Sequence, residues 1–223
     1  MASRFYLCST GSQPAPTNPS FNAGWEQTGQ AVRLPMDLKV QQGPLTALTT
    51  SANITVPITT TQQILCYQFT SRQIFLPRHL DASCLFSCVV RCSENATTNN
   101  AFIAHSLRAV SVDGGTFLGT LIEKLASGGS EFPLHASQAT RIISQTAITP
   151  VTLSQPFRLV WELGCHANAP TAAGNFQQRI GCSAASDFAL TTALTTDLNP
   201  WCELSVNLDS SRSAIHQEWA MGR

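Results

Sequence analysis

The chain has 223 residues, enough for one sizeable domain with its own core, and its 13 basic side chains balance 13 acidic ones. Charged residues make up only 12%, against ~25% in ordinary globular proteins, so surface polarity falls to Thr, Ser, Gln and Asn, which cost less to desolvate against a partner. With no basic run to neutralise phosphates, nucleic acid is not expected as a partner.

The N-terminus "MASRFYLCST" holds no apolar stretch long enough for a secretory signal, and no later stretch approaches the ~20 apolar residues of a membrane helix. The expectation is a chain made in a cytoplasm without a membrane partner. Residues 9–24, "STGSQPAPTNPSFNAG", carry three prolines and several turn formers, which reads as an extended segment. Phe5, Tyr6 and Leu7 precede it, and Phe21 and Trp25 close it. Residues 1–44 are therefore expected to form an arm and linker whose aromatic ends pin it to a neighbouring surface.

From residue 45 to 208 the chain reads as strand after strand. "QQILCYQFTS", "ASCLFSCVVRC", "AFIAHSLRAVSV", "TFLGTLIEKL", "ATRIISQTAIT", "PFRLVWELGC", "FQQRIGCSA" and "WCELSVNL" are rich in β-branched and aromatic residues, as are the shorter "ANITVPITTT" and "RQIFLP". "VDGG" at 112–115 is a hairpin signal. In 157–163, Phe157, Leu159, Trp161 and Leu163 would share one face, with Arg158, Val160 and Glu162 opposite. About ten short strands predict an all-β antiparallel β-sandwich, jelly-roll-like, with an extended N-terminal arm. The tail 209–223 differs. There Ile215 and Trp219 are four apart, so a short helix could present both to a partner, a disordered tail being the alternative.

"CLFSCVVRC" at 84–92 spaces three cysteines four apart. On a strand, four residues span ~13 Å. That exceeds the ~7 Å limit between disulfide-bonded Cα atoms, and it is too far for thiolates that each sit ~2.3 Å from one zinc ion. Cys84, Phe86, Cys88, Val90 and Cys92 would instead share a buried face, with cysteine acting as a small hydrophobe. Cys8, Cys66, Cys165, Cys182 and Cys202 form no CxxC pair, and the five histidines show no metal spacing. Free thiols are expected, with no metal and no cofactor.

No GxSxG elbow or phosphate-cradling loop occurs. Glu162 and Glu203 could serve as paired carboxylates only if they converged in a groove, and ion pairs to Arg158 or Arg108 explain such acids equally well. The expectation is no enzyme activity and no catalytic residue. Sugar stacking is the rival reading, with Trp201 after "NP" as the candidate glycan contact.

"SRFYL", "GWEQTGQAVR", "FRLVWELG" and "SDFALTTALTTDLNPWCELS" together resemble the small virion-associated structural proteins of tailed bacteriophages, which share a short aromatic start, a Pro-rich arm and a β-sandwich. The resemblance covers about two thirds of the chain, and its motifs are structural. It implies a virion component assembled in the host cytoplasm. The first role it suggests is a capsid decoration (cement) protein, whose arm docks on other virion proteins, foremost the major capsid protein, as a homo-oligomer such as a trimer. The alternative is a neck, tail or fibre component with a carbohydrate-binding face.

Overall fold

The computed structural model describes residues 2–11, 18–38, 49–50, 54–56, 61–75, 78–95, 100–126, 130–168 and 174–208. These are almost entirely β, in the order β1 (Ser3–Leu7), β2 (Val32–Leu38), β3 (Thr49–Thr50), β4 (Ile54–Val56), β5 (Gln62–Ser71), β6 (Arg78–Leu80), β7 (Leu85–Glu94), β8 (Ala101–Ser111), β9 (Phe117–Ala126), β10 (Ala139–Ala147), β11 (Val151–Leu153), β12 (Phe157–Ala167), β13 (Gly174–Ile180) and β14 (Trp201–Leu204). Among the described residues a 3₁₀ turn at His135–Ser137 interrupts the strands.

Twelve strands form one sheet that runs β3-β13-β7-β14-β1-β2-β5-β12-β8-β9, with β10 on the other side of β7 and β4 against β13. β6 and β11 make a separate two-stranded ribbon. Every named pairing is antiparallel except β2 with β5, where Val32 to Met36 lie in parallel beside Tyr67 to Ser71. β12 is the central strand of its half and pairs with β8 along all of its 11 residues.

The sheet curls until its halves face each other. Phe86 on β7 and Trp161 on β12 are separated by four intervening strands, yet their rings lie 5.8 Å apart. Trp161 also stacks on Phe69 at 5.9 Å. This closure makes a sandwich of jelly-roll-like form around one main core. The alternation in β12 supplies that core: Phe157, Leu159, Trp161 and Leu163 all belong to it. Each such side chain, fully buried, contributes on the order of 1.5–3 kcal/mol.

Both outer faces are covered as well, which is why β5 and β12 are buried on both sides. Residues 18–31 lie across the outside of β5, β12 and β8, where Trp25 packs on Leu65 and Ala104. Residues 183–199 cover β7, β10 and β14, where Phe188 packs on Val89 and Trp201. The Val112–Gly115 turn joins β8 to β9 as its sequence predicts. Gly114 holds φ +79° there, a conformation costly for a residue with a Cβ.

The described residues of the expected arm are not free, while 12–17 and 39–44 lie outside the described residues. β1 sits inside the sheet between β14 and β2, with Phe5 opposite Cys202 on one side and Leu38 on the other. Phe5, Tyr6 and Leu7 are all buried. The sandwich therefore begins at residue 3, and the boundary expected near residue 44 does not separate an arm from a body. Of the described residues of "RQIFLP" (72–75), Ile74 alone joins the sheet, through an isolated bridge to Phe157, and 76–77 lie outside the described residues.

Candidate functional site

The most elaborate polar centre is built on Glu162, whose residue is fully buried on the outer face of β12. Its carboxylate accepts hydrogen bonds from five groups. These are the Asn22 backbone N–H (3.0 Å), Trp25 Nε1 (2.8 Å), Gln68 Nε2 (3.1 Å), Ser106 Oγ (2.9 Å) and Arg108 Nη2 (2.6 Å). Cross-strand register explains the convergence: Glu162 lies opposite Gln68 on β5 and Ser106 on β8. Arg108 and Gln68 also donate to the Ser20 carbonyl, and Gln68 to that of Pro19.

The centre is thus a clasp that holds residues 18–25 on the sheet. A carboxylate so saturated has no lone pair left for a substrate. Glu203 does not join it, because its partner is Arg4 at 3.0 Å on another part of the sheet. The two acids that sequence reading paired therefore serve separate ion pairs.

Trp25 is buried in the clasp, so it anchors the N-terminal segment to its own chain. Phe21 is half-buried beneath the Arg33 guanidinium at 4.1 Å. Trp201 is 2% exposed, donates through Nε1 to the Phe188 carbonyl at 2.8 Å and is capped by Arg4 at 4.0 Å from its ring. A sugar cannot reach it, which removes Trp201 as a glycan contact. The loop 183–199 folds back over it, a long-range contact that alternation within "WCEL" cannot reveal. Ile215 and Trp219 lie outside the described residues.

All eight cysteines are free and buried. Cys84, Cys88 and Cys92 share the core face of their segment with Phe86 and Val90, as the strand spacing predicts. Burial pushes the Cys88 thiol up to about 12. The Cys8 thiol is raised first by its hydrogen bond with Cys182 and then by burial. Such thiols stay protonated and unreactive. Among the described residues no group of three metal-ligating side chains is placed to hold an ion.

Two concavities open at the end of the sandwich where β12 begins and β7 begins. One, of about 330 Å³, is lined by His79, Asp81, Ser83, Cys84 and Ser205. It pairs a thiol with a histidine, but burial raises the Cys84 thiol, which is the wrong direction for a nucleophile.

The other, of about 480 Å³, is lined by Gln73, Ser111, Val112, Asp113, Thr116, Gln155, Pro156 and Arg158. Arg158 is only 8% exposed, and its Nε and Nη1 donate to the carbonyls of Val112 (2.6 Å) and Ser71 (3.1 Å). No carboxylate among the described residues pairs with it. Phe117, 57% exposed, stands on the same outer face, opposite Val110, which is itself opposite Arg158. Phe75 is 58% exposed and lies two residues beyond Gln73. Sequence reading placed Arg158 on the outer face of its strand. The loops 72–75 and 154–156 that wall the groove are brought together only by the fold.

No known protein family matches the sequence, and no curated protein matches it. A solved structure with some likeness is the infectious bursal disease virus VP2 subviral particle, at a TM-score of 0.23 and 11% identity. The match takes in 82% of this chain but only 50% of that one, and at such a score it carries no argument about role. Among the described residues no helix is long and apolar enough to cross a membrane.

Proposed function

We propose that the protein is a non-enzymatic structural component of a tailed bacteriophage virion, acting as a capsid decoration (cement) protein on the major capsid protein, as a homo-oligomer. The observation that carries this reading is the Glu162 clasp. The chain's best-developed polar centre, with five donors around one buried carboxylate, fastens its own segment and turns no reactive group outward. The low charge and the resemblance of "SRFYL" and "FRLVWELG" to virion-associated proteins support the same reading.

With Phe5, Tyr6, Leu7 and Trp25 committed to the chain's own fold, docking falls to the outer surface of the sandwich rather than to a free arm. The test is cryo-electron microscopy and mass spectrometry of particles of the virus that encodes it. Density for this sandwich on the outside of the capsid shell is expected. Density at the neck or tail would move the role to that alternative, and absence from purified particles would end the reading.

A further inference from the structure

We propose that the groove beside Arg158 is a binding site for a sugar bearing a single carboxylate. The inference is independent of the particle role proposed above. Arg158 supplies the charge. Two of its nitrogens are held by the carbonyls of Val112 and Ser71, which fixes the guanidinium plane, and Nη2 has no partner among the described residues. A planar, pre-oriented guanidinium is the natural partner of a carboxylate, and one held without a counter-ion gains most from meeting one.

The rest of the lining suits a polyol better than an acidic peptide. The side-chain amides of Gln73 and Gln155 reach no described residue, so both can donate to and accept from hydroxyls. Asp113 is occupied by Ser111 Oγ and the Gly115 N–H, yet a carboxylate has capacity for a further hydroxyl donor. The same Asp113 would repel a peptide carrying several acids. Phe117, exposed on the same face, offers an apolar ring on which the C–H side of a sugar can lie. The volume of about 480 Å³ suits one or two sugar rings.

The test is titration of the full chain by NMR and calorimetry with 3′-sialyllactose against lactose, and with glucuronic acid against glucose. Either acidic sugar should bind about tenfold or more tighter than its neutral counterpart. Phe117→Ser should weaken that binding about fivefold without changing the melting temperature, since the ring is exposed. Arg158→Lys should erase the preference for the acidic sugar. If that variant fails to fold, Gln155→Ala, which removes only an exposed amide, should weaken binding in its place. Equal binding of acidic and neutral sugars, no binding of either acidic sugar, or tighter binding of a short Asp-Phe peptide than of any sugar would overturn the proposal.

Discussion

Arg108 Nη2 lies 2.6 Å from Glu162 Oε1, and the two side chains are 8% and 0% exposed. Both side chains are shielded from bulk solvent, so loss of either leaves the other's charge buried. Glu162→Gln should cost about 3–5 kcal/mol in urea unfolding, because Arg108 stays buried without its anion. Glu162→Gln combined with Arg108→Met should cost less than Glu162→Gln alone, since no lone charge is left inside while the amide oxygen at 162 still accepts from the remaining donors. A double variant less stable than Glu162→Gln would show the pair to be net stabilising in its own right.

Removal of residues 1–8 should unfold the protein instead of trimming an appendage. β1 contributes Phe5, Tyr6 and Leu7 to buried clusters and separates β14 from β2, so its loss opens two strand edges at once. A subtler change, Tyr6→Phe, removes the 2.7 Å bond from the hydroxyl to Asp187 and should cost about 1.5–3 kcal/mol. Circular dichroism and size-exclusion chromatography separate the two outcomes. A folded, monodisperse truncation would restore the arm that the sequence suggested.

Stability against pH should be the sum of two opposed titrations. Burial lowers His105 to about 4, and its ring stacks on Phe86 at 5.3 Å with Nδ1 unbonded. The unfolded chain then binds the extra proton between pH ~6.5 and ~4, so His105 makes stability fall on acidification, by on the order of 3 kcal/mol. Glu94 moves the other way. Burial, with the nearby Glu131 carboxyl adding to it, raises Glu94 to about 7 against the bond from the Ala101 N–H. The folded chain binds that proton between pH ~4.5 and ~7, so Glu94 makes stability fall as pH rises through that window. Glu94→Gln should therefore steepen the acid loss, and His105→Gln should leave a loss on the alkaline side. Unfolding curves for both variants at pH 4.5 and 6.5 read this directly, and equal slopes in both would refute it.

Gly164→Ala should be poorly tolerated. A Cβ at 164 would strike the Ile64 carbonyl and come within 2.8 Å of the Trp25 ring. The position coincides with the register shift between β12 and β5, where the chain makes room for Trp25. A loss of about 1–3 kcal/mol is expected from crowding, with a change in Trp25 fluorescence. An unaltered emission spectrum would show that the strap does not depend on this contact.

Local pattern was readable wherever a strand's own residues decide its fate. "QQILCYQFTS" is β5 residue for residue, and the alternation of 157–163 names the core side chains of β12 correctly. The cysteine spacing also sufficed, since strand rise alone separates Cys84, Cys88 and Cys92. What escaped were partners far apart in the chain. "SRFYL" looks like a terminal appendage until β14 is placed beside it. Glu162, on the face opposite the core, is buried because residues 18–25 lie over it. The Arg158 groove depends on three separate loops, and no spacing along the chain encodes that meeting.

Ser3 pairs with Leu204, and the Leu208 N–H reaches the Ser3 hydroxyl at 2.6 Å. During synthesis, the first strand therefore has to wait for a partner made some two hundred residues later, roughly 10–40 s at ordinary elongation rates. β2 is made early enough to pair with one edge of Phe5, Tyr6 and Leu7, but their other edge stays open until β14 is made. Linking Leu208 directly back to Ser3 and reopening the chain at the Val112–Gly115 turn would shorten that wait for β1 while keeping every named strand pairing.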